Sequence, residues 1–158
     1  MRYQKPENIT ITSFGIFYGD RAISLSDLKY VYISGANSDT EYQDNLGCYS
    51  VSLRNGHDSY LLLETQDKAE AKKMLKSIGK ILSGRREIKT YNNSAIVNLN
   101  HLVDVKLSKP GKESSNKVKL YMDNGRILRV FRSAFTTPAK IYASTIRADL
   151  NNYSKPSM

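Results

Sequence analysis

The sequence is poor in the residues that most enzyme and metal sites need. Its single cysteine, Cys48, cannot form an internal disulfide or supply the paired thiols of a zinc site. Its two histidines, His57 and His101, have no convincing catalytic partner nearby in the sequence. Phosphate-loop, dinucleotide-binding and HExxH motifs are absent. We therefore expect a protein that is not an enzyme and that carries no cofactor or metal.

Long apolar runs are also missing. No stretch approaches the ~20 apolar residues that a membrane-spanning helix requires. The first residues, MRYQKPENIT, lack the apolar segment of a signal peptide. We expect a cytoplasmic protein without a transmembrane segment.

Acidic residues are scarce in one part of the chain. Residues 1–82 carry ten Lys or Arg and ten Asp or Glu, whereas residues 83–158 carry fourteen and five, so the second part supplies the whole formal charge of +9. A segregated positive charge creates a field that attracts polyanions. The alternative is a solvated basic face that has no partner.

Short stretches that alternate apolar and polar residues are abundant. Their β-branched and aromatic residues predict the strands ITITSFGIFY, RAISL, LKYVYIS, CYSVSLR and DSYLLLE. Asn55-Gly56, between the last two, predicts a tight hairpin with positive φ angles. Residues 35–47 are polar and acidic, which predicts a long loop.

Two segments have the apolar spacing of helices. Thr65 is the predicted cap of the first, which ends at Ser83-Gly84, and Thr137 is the predicted cap of the second, with Pro138 at its first position. Each carries an apolar stripe that predicts a core seam rather than a ligand site. The stripes are Ala71, Met74, Leu75, Ile78 and Leu82, and Ala139, Tyr142, Ala143, Ile146, Leu150 and Tyr153.

The two halves of the chain resemble each other. ISLSDLKYVYI at 23–33 matches VNLNHLVDVKL at 97–107, a spacing of 74, and the Asn-Gly pairs at 55 and 124 are 69 apart. Either a duplication or the general pattern of β-hairpins explains these matches. The expected fold is α+β and β-rich, with short antiparallel strands and hairpins and a helix closing each half. The halves are residues 1–84 and the basic residues 85–158, as one compact unit or as two tandem modules.

The segment TYNNSAIVNLNHLVDVKL at 90–107, followed by KVKLYMDNGRILRVFRSAFTTPAKI, resembles the second half of the LytTR DNA-binding domain. The matching features are the polar run Tyr91–Ser94, the apolar strand that follows, the hairpin Asp123-Asn124-Gly125 and the strand end Phe131-Arg132. The weaker resemblance of the first half extends the match to residues 9–142. It implies an elongated array of β-sheets whose loops read duplex DNA, as in a transcription regulator.

The resemblance implies base contacts from Asn92, Asn93 and Arg132. Asparagine can pair with adenine and arginine with guanine in the major groove. We expect phosphate contacts, which set register without reading sequence, from Lys89, Arg126 and Arg129.

Each of these residues also has a purely structural explanation. Asn92 and Asn93 suit an Asx-turn, and Arg132 suits a solvated charge at a strand end. We expect Asn98 to hydrogen-bond its own turn and His101 to be a satisfied core or turn histidine.

The strands-then-helix order of both halves is also similar to tandem pleckstrin-homology-like modules of small bacterial proteins. The residues that carry this resemblance are ITITSFGIFYGDRAISLSDLKYVYI, the Asn-Gly hairpin and the helix AEAKKMLKSI. It implies an adaptor that binds an acidic protein partner or an acidic membrane surface. The sequence therefore leaves two functions open, of which we favour DNA binding by the basic second half.

Overall fold

The computed structural model describes residues 9–18, 21–34, 49–56, 58–108 and 116–153. Eleven strands and two α-helices lie in these ranges, which confirms the β-rich α+β class. The chain divides into two compact units, Met1–Asn98 and Leu99–Met158. The acidic loop predicted at 35–47, together with Cys48 and His57, lies outside the described residues.

Unit 1 contains two antiparallel sheets and one helix. The strands β1 (Ile9–Ile11), β2 (Gly15–Tyr18) and β3 (Arg21–Ser24) form the smaller sheet, so that ITITSFGIFY is two strands rather than one. The larger sheet has the order β6-β5-β4-β8-β7. Its strands are β4 (Leu28–Ser34), β5 (Tyr49–Asn55), β6 (Ser59–Thr65), β7 (Ile88–Tyr91) and β8 (Ala95–Asn98). Residues 85–98, which begin the basic half of the sequence, therefore complete the sheet of unit 1.

The helix α1 (Lys68–Leu82) packs on the larger sheet. Ala71, Leu75, Ile78 and Leu82 are buried and Met74 is partly buried, so the predicted apolar stripe faces the core. The cap is Asp67 rather than Thr65: its carboxylate accepts from the Ala69 N–H (2.9 Å). Thr65 instead ends β6, where its hydroxyl accepts from the Asp67 N–H.

Unit 2 is a three-stranded antiparallel sheet covered on one face by a helix. Its strands are β9 (Leu102–Ser108), β10 (Asn116–Met122) and β11 (Ile127–Ser133), in the order β11-β10-β9. The helix α2 (Thr136–Asn152) buries Ala139, Ala143 and Ile146. It begins before the predicted cap Thr137, because Phe135 occupies the cap position and no side chain caps it. Pro138 is therefore the third helical residue rather than the first.

The strand registers of the two halves match, including their irregularities. In both halves a turn of three residues joins a short strand to a seven-residue strand, β3 to β4 and β8 to β9. Val51 pairs with Leu63 and Ser52 with Leu61, and the register shift between these pairs recurs between Val118–Phe131 and Lys119–Arg129. A second shift follows both Leu28–Asn55 and Leu102–Met122. Bulges are retained as specific features within families of folds, and the strand pairings of β2–α1 and β7–α2 share the same two register shifts.

The Asn-Gly hairpins form, but one turn differs from the prediction. Gly125 has φ +86°, as a left-handed glycine in a hairpin requires, whereas the φ of Gly56 is not in the left-handed range. Between β5 and β6, Asn55 Oδ1 accepts from the Asp58 N–H (3.2 Å) and the Asn55 N–H donates to the Asp58 carbonyl (3.0 Å).

Candidate nucleic-acid interface

The sheet of unit 2 has two chemically different faces. Residues that lie directly opposite each other in an antiparallel sheet point to the same face. The face toward α2 is apolar: Leu120 lies opposite Val105 and Leu128, and the Phe131 ring stacks on Tyr142 of α2 with centroids 4.8 Å apart. This face forms the core of unit 2.

The opposite face carries a concentration of basic side chains, which we call the basic face. Lys117 lies opposite Arg132, and Lys119 lies opposite both Lys106 and Arg129. Basic side chains thus occupy two adjacent cross-strand rows. The basic face comprises Lys106, Lys117, Lys119, Arg129 and Arg132.

The side chains of the basic face differ in exposure. Lys106 and Arg132 are exposed, Lys119 and Arg129 are half-buried, and Lys117 is only 8% exposed. The Lys106 ammonium lies 4.9 Å from the centroid of the Tyr121 ring, a cation–π contact that holds the amine over the sheet. Cations held on neighbouring strands repel one another, and an anion bound between them relieves that repulsion.

One acidic residue, Asp104, shares this face. It lies opposite Tyr121 at the end of the sheet away from Lys117 and Arg132. One of its carboxylate oxygens, Oδ1, accepts from the Val105 N–H (2.7 Å). Among the described residues of this face, the five cations therefore outnumber the acidic groups by four.

Three of the predicted DNA contacts lie in unit 2, on β11 or at its turn. Arg129 and Arg132 belong to the basic face. Arg126 is exposed in the turn before β11, where its N–H donates to Asn124 Oδ1 (3.0 Å) and its carbonyl accepts from the Met122 N–H (2.9 Å).

The other three predicted contacts lie in unit 1. Lys89 is exposed on β7, and Asn92 and Asn93 are exposed in the turn between β7 and β8. Their φ angles are +54° and +48°, and the Ser94 N–H donates to the Tyr91 carbonyl (3.0 Å). Two left-handed residues in succession define a type I′ turn, which asparagine tolerates better than most residues. The turn is a sufficient reason for both asparagines.

The remaining polar residues of the opening motif have structural partners. Asn98 is fully buried, and its Nδ2 donates to the Leu28 carbonyl (2.9 Å) and the Leu25 carbonyl (3.4 Å), so it stabilises a turn that is distant in sequence. Asn100 Oδ1 accepts from the Tyr153 hydroxyl (2.8 Å). His101 Nδ1 lies 2.7 Å from a carboxylate oxygen of Asp123, so His101 is the satisfied turn histidine that we expected.

Sequence reasoning missed the three lysines of the basic face. Lys117 and Lys119 alternate with apolar residues in NKVKLYM. In LVDVKLS, Lys106 likewise lies between two apolar residues. That period of two predicts side chains on one face of a sheet. The strand pairing, which brings the lysines beside Arg129 and Arg132, is not readable from either stretch alone.

Comparison with family models, with curated proteins and with solved structures finds no match to this chain. Among the residues that the structure describes, no cluster of three His, Cys, Asp or Glu could hold a metal ion. No helix in the same ranges is long and apolar enough to cross a membrane.

Proposed function

We propose that this protein is a non-enzymatic DNA-binding protein that contacts the phosphate backbone of duplex DNA through the basic face of unit 2. The observation that carries the proposal is the clustering of five Lys and Arg side chains on one face of a three-stranded sheet. Phosphate contacts from Lys and Arg supply most of the affinity in sequence-independent DNA binding. The proposal thus moves the main contact from strand-end loops to the face of the sheet.

The chemistry of the face favours phosphate over bases. Lysines are point charges on flexible stems, and the Tyr121 ring is already in contact with the Lys106 ammonium. Arginine alone offers the planar fork that pairs with guanine or with phosphate. Base selectivity through Asn92, Asn93 and Arg132 accordingly stays a prediction. In its test, Arg132→Ala relaxes any sequence preference, whereas replacing Lys89 weakens binding to all duplexes alike.

A paired set of variants tests the role of the basic face. Lys106→Gln/Arg132→Gln removes its two exposed charges, and Lys73→Gln/Lys80→Gln removes two exposed charges from α1. By fluorescence anisotropy with a mixed-sequence duplex, we expect the first variant to lose roughly 10- to 100-fold in affinity. The second should bind like the wild type. Equal losses in both variants would mean that binding follows net charge, and would contradict the proposal.

A second candidate function is an adaptor that binds an acidic protein. The matched registers of the two halves favour it, because they give the tandem strands-then-helix architecture that the pleckstrin-homology-like resemblance implies. An adaptor should capture a defined acidic protein in moderate salt and should show no affinity for duplex DNA.

A further inference from the structure

Among the described strands, one edge of β9 is unpaired, whereas both edges of its counterpart in the first half are paired. In the larger sheet of unit 1, β4 pairs with β5 on one side and with β8 on the other. The equivalent strand in the second half is β9, which starts 74 residues after β4. The described strands leave β9 at the edge of its sheet, with β10 on one side only. An open strand edge is a template for another strand unless something covers it.

The occupied edge shows what strand addition needs. Val31 pairs with Ile96, and the Ile33 N–H donates to the Ser94 carbonyl (3.0 Å), so alternate residues of β4 direct their backbone groups toward β8. Gly79 of α1 makes room for the added hairpin. A Cβ at this position would lie 2.6 Å from Thr90 Oγ1 and 3.7 Å from Ile96 Cδ1.

Side chains cover the corresponding groups of β9. Val105 is the counterpart of Val31, and its N–H donates to Asp104 Oδ1 (2.7 Å). The Val105 carbonyl accepts from Nη2 (2.9 Å) and Nε (3.2 Å) of Arg147. Arg147 stands at the position in α2 that Gly79 holds in α1. Each lies eleven residues after the first residue of its helix, Lys68 in α1 and Thr136 in α2. Where the first half has a glycine and an added strand, the second has an arginine that binds the strand edge.

The chain also contains a hairpin with the register that such an edge would accept. Phe17 pairs with Ala22 in the β2–β3 hairpin, as Thr90 pairs with Ile96 in the β7–β8 hairpin. The β3 strand is itself at the edge of its sheet among the described residues. Phe17 is 44% exposed and Ala22 is exposed, so this pair leaves an apolar surface uncovered. The corresponding surface of the Thr90–Ile96 pair lies against α1 near Gly79.

We propose that the β9 edge is a docking site for the β2–β3 hairpin of a second copy of this chain, and that Arg147 and Asp104 hold the site closed. The contact repeats between molecules the pairing of β8 with β4 inside one molecule. The contact joins different surfaces of the two copies, so a pair still has one free hairpin, on one copy, and one free β9 edge, on the other. Further copies can therefore add until a ring closes. Because Arg147 covers the β9 edge, no further hairpin is added after the two halves of one chain. The proposal does not depend on DNA binding.

The test removes both covering side chains and measures self-association. We expect Arg147→Ala/Asp104→Ala to form dimers and larger species as protein concentration rises in sedimentation-velocity experiments, while the wild type sediments as a single chain under the same conditions. Lys140→Ala removes an exposed cation from the same helix and should sediment like the wild type. Circular dichroism confirms that each variant is folded. If the double variant does not fold, Arg147→Ala alone replaces it.

A third substitution identifies the occupant. Ala22 is the counterpart of Ile96, which pairs with Val31 of β4, so the Ala22 N–H faces the open edge of β3. Ala22→Pro therefore blocks pairing at that edge without removing a hydrogen bond to β2. Added to the double variant, it should restore the sedimentation of a single chain. A folded double variant that stays monomeric overturns the proposal. Association that survives Ala22→Pro overturns the choice of the β2–β3 hairpin as the occupant.

Discussion

The two halves present different chemistry on the same backbone. In the second half, the sheet face away from the helix carries Ser108 and the cations Lys117, Lys119, Arg129 and Arg132. The equivalent positions of the first half line a shallow depression of about 190 Å³. They are Ser34, Ser50, Ser52, Leu61 and Glu64. These five positions carry one acidic residue and no cation, although the strands pair with the same register shifts.

The helices differ in the opposite sense. In α1, four lysines recur every four residues along the side away from the core, at Lys68, Lys72, Lys76 and Lys80. The equivalent positions of α2 are Thr136, Lys140, Ser144 and Ala148. At these equivalent positions, positive charge therefore lies mainly on the helix in the first half and on the sheet in the second. The shared backbone does not dictate where the charge lies, so the basic face is a property of particular substitutions.

The largest expected effect comes from making the second face like the first. Lys119→Ser, Arg129→Leu and Arg132→Glu place the first half's residues at the equivalent positions. Because three phosphate contacts are lost together, we expect affinity for duplex DNA to fall on the order of 10²-fold. Fluorescence anisotropy measures the change. The same affinity in the triple variant and the wild type would remove the basic face from the account.

The buried amide of Asn98 sharpens the comparison with its counterpart, Ser24. Asn98 bonds two backbone carbonyls in the core, whereas Ser24 is exposed and its hydroxyl contacts that of Ser26 (2.8 Å). Asn98→Ala leaves buried carbonyls without this donor, so we expect unfolding free energy to fall by about 1–3 kcal/mol. Ser24→Ala should change it by under about 0.5 kcal/mol. Urea denaturation of both variants gives the difference, and equal values would contradict it.

A substitution at Gly79 tests whether the β7–β8 hairpin requires a glycine in α1 where α2 has Arg147. Replacing glycine by alanine inside a helix ordinarily raises stability by about 1 kcal/mol. Here the new methyl group meets Thr90 Oγ1 at 2.6 Å, so we expect Gly79→Ala to lower the unfolding free energy by about 1 kcal/mol instead. Thr90→Ala removes the obstructing hydroxyl, and in that background Gly79→Ala should become stabilising. A stabilising effect in the wild-type background would show that the hairpin does not constrain the helix.

The smallest effect concerns the lysine column of α1, the four lysines spaced every four residues from Lys68 to Lys80. Partial burial, and then the neighbouring charge of Lys68, hold the pKa of Lys72 below its usual value. Folding therefore disfavours the charged form of Lys72, and this penalty disappears as the pH rises from the folded toward the unfolded pKa. At neutral pH we expect Lys72→Met to stabilise the protein by a few tenths of a kcal/mol, in line with the ~0.2–0.5 kcal/mol of an i,i+4 like-charge pair. Thermal unfolding of the variant beside Lys73→Met, which lies off the column, checks this.

Local patterns in the sequence predicted most elements of the fold. The strands, both helices and their apolar stripes follow from short-range periodicity, and they hold because each stripe finds a sheet to cover. The helix starts were wrong: Asp67 and not Thr65 caps α1, and no side chain caps α2. Several residues near a helix start can serve as caps, and the path of the preceding strand selects among them.

The candidate site was predicted only in part, because it depends on strand pairing. Arg129 and Arg132 were chosen from their place after a hairpin, and the structure puts both on one face. Lys117 and Lys119 join them through the β10–β11 hairpin. Lys106 joins only through the pairing of β9 with β10, which spans a loop and has no local signal. For Asn92 and Asn93 the local pattern was ambiguous. It resembles a DNA-contacting segment, but it also suits the tight turn whose positive φ angles both residues adopt.

The salt dependence of duplex binding tests the central claim most directly. We would titrate a labelled mixed-sequence duplex with the wild-type protein at several salt concentrations and plot the logarithm of the binding constant against that of salt. With the four basic-face cations other than the largely buried Lys117 each neutralising one phosphate, the basic face should contribute about −3.6 to the slope, from about −0.9 per contact. No binding at low salt, or binding whose strength does not change with salt, would contradict the account.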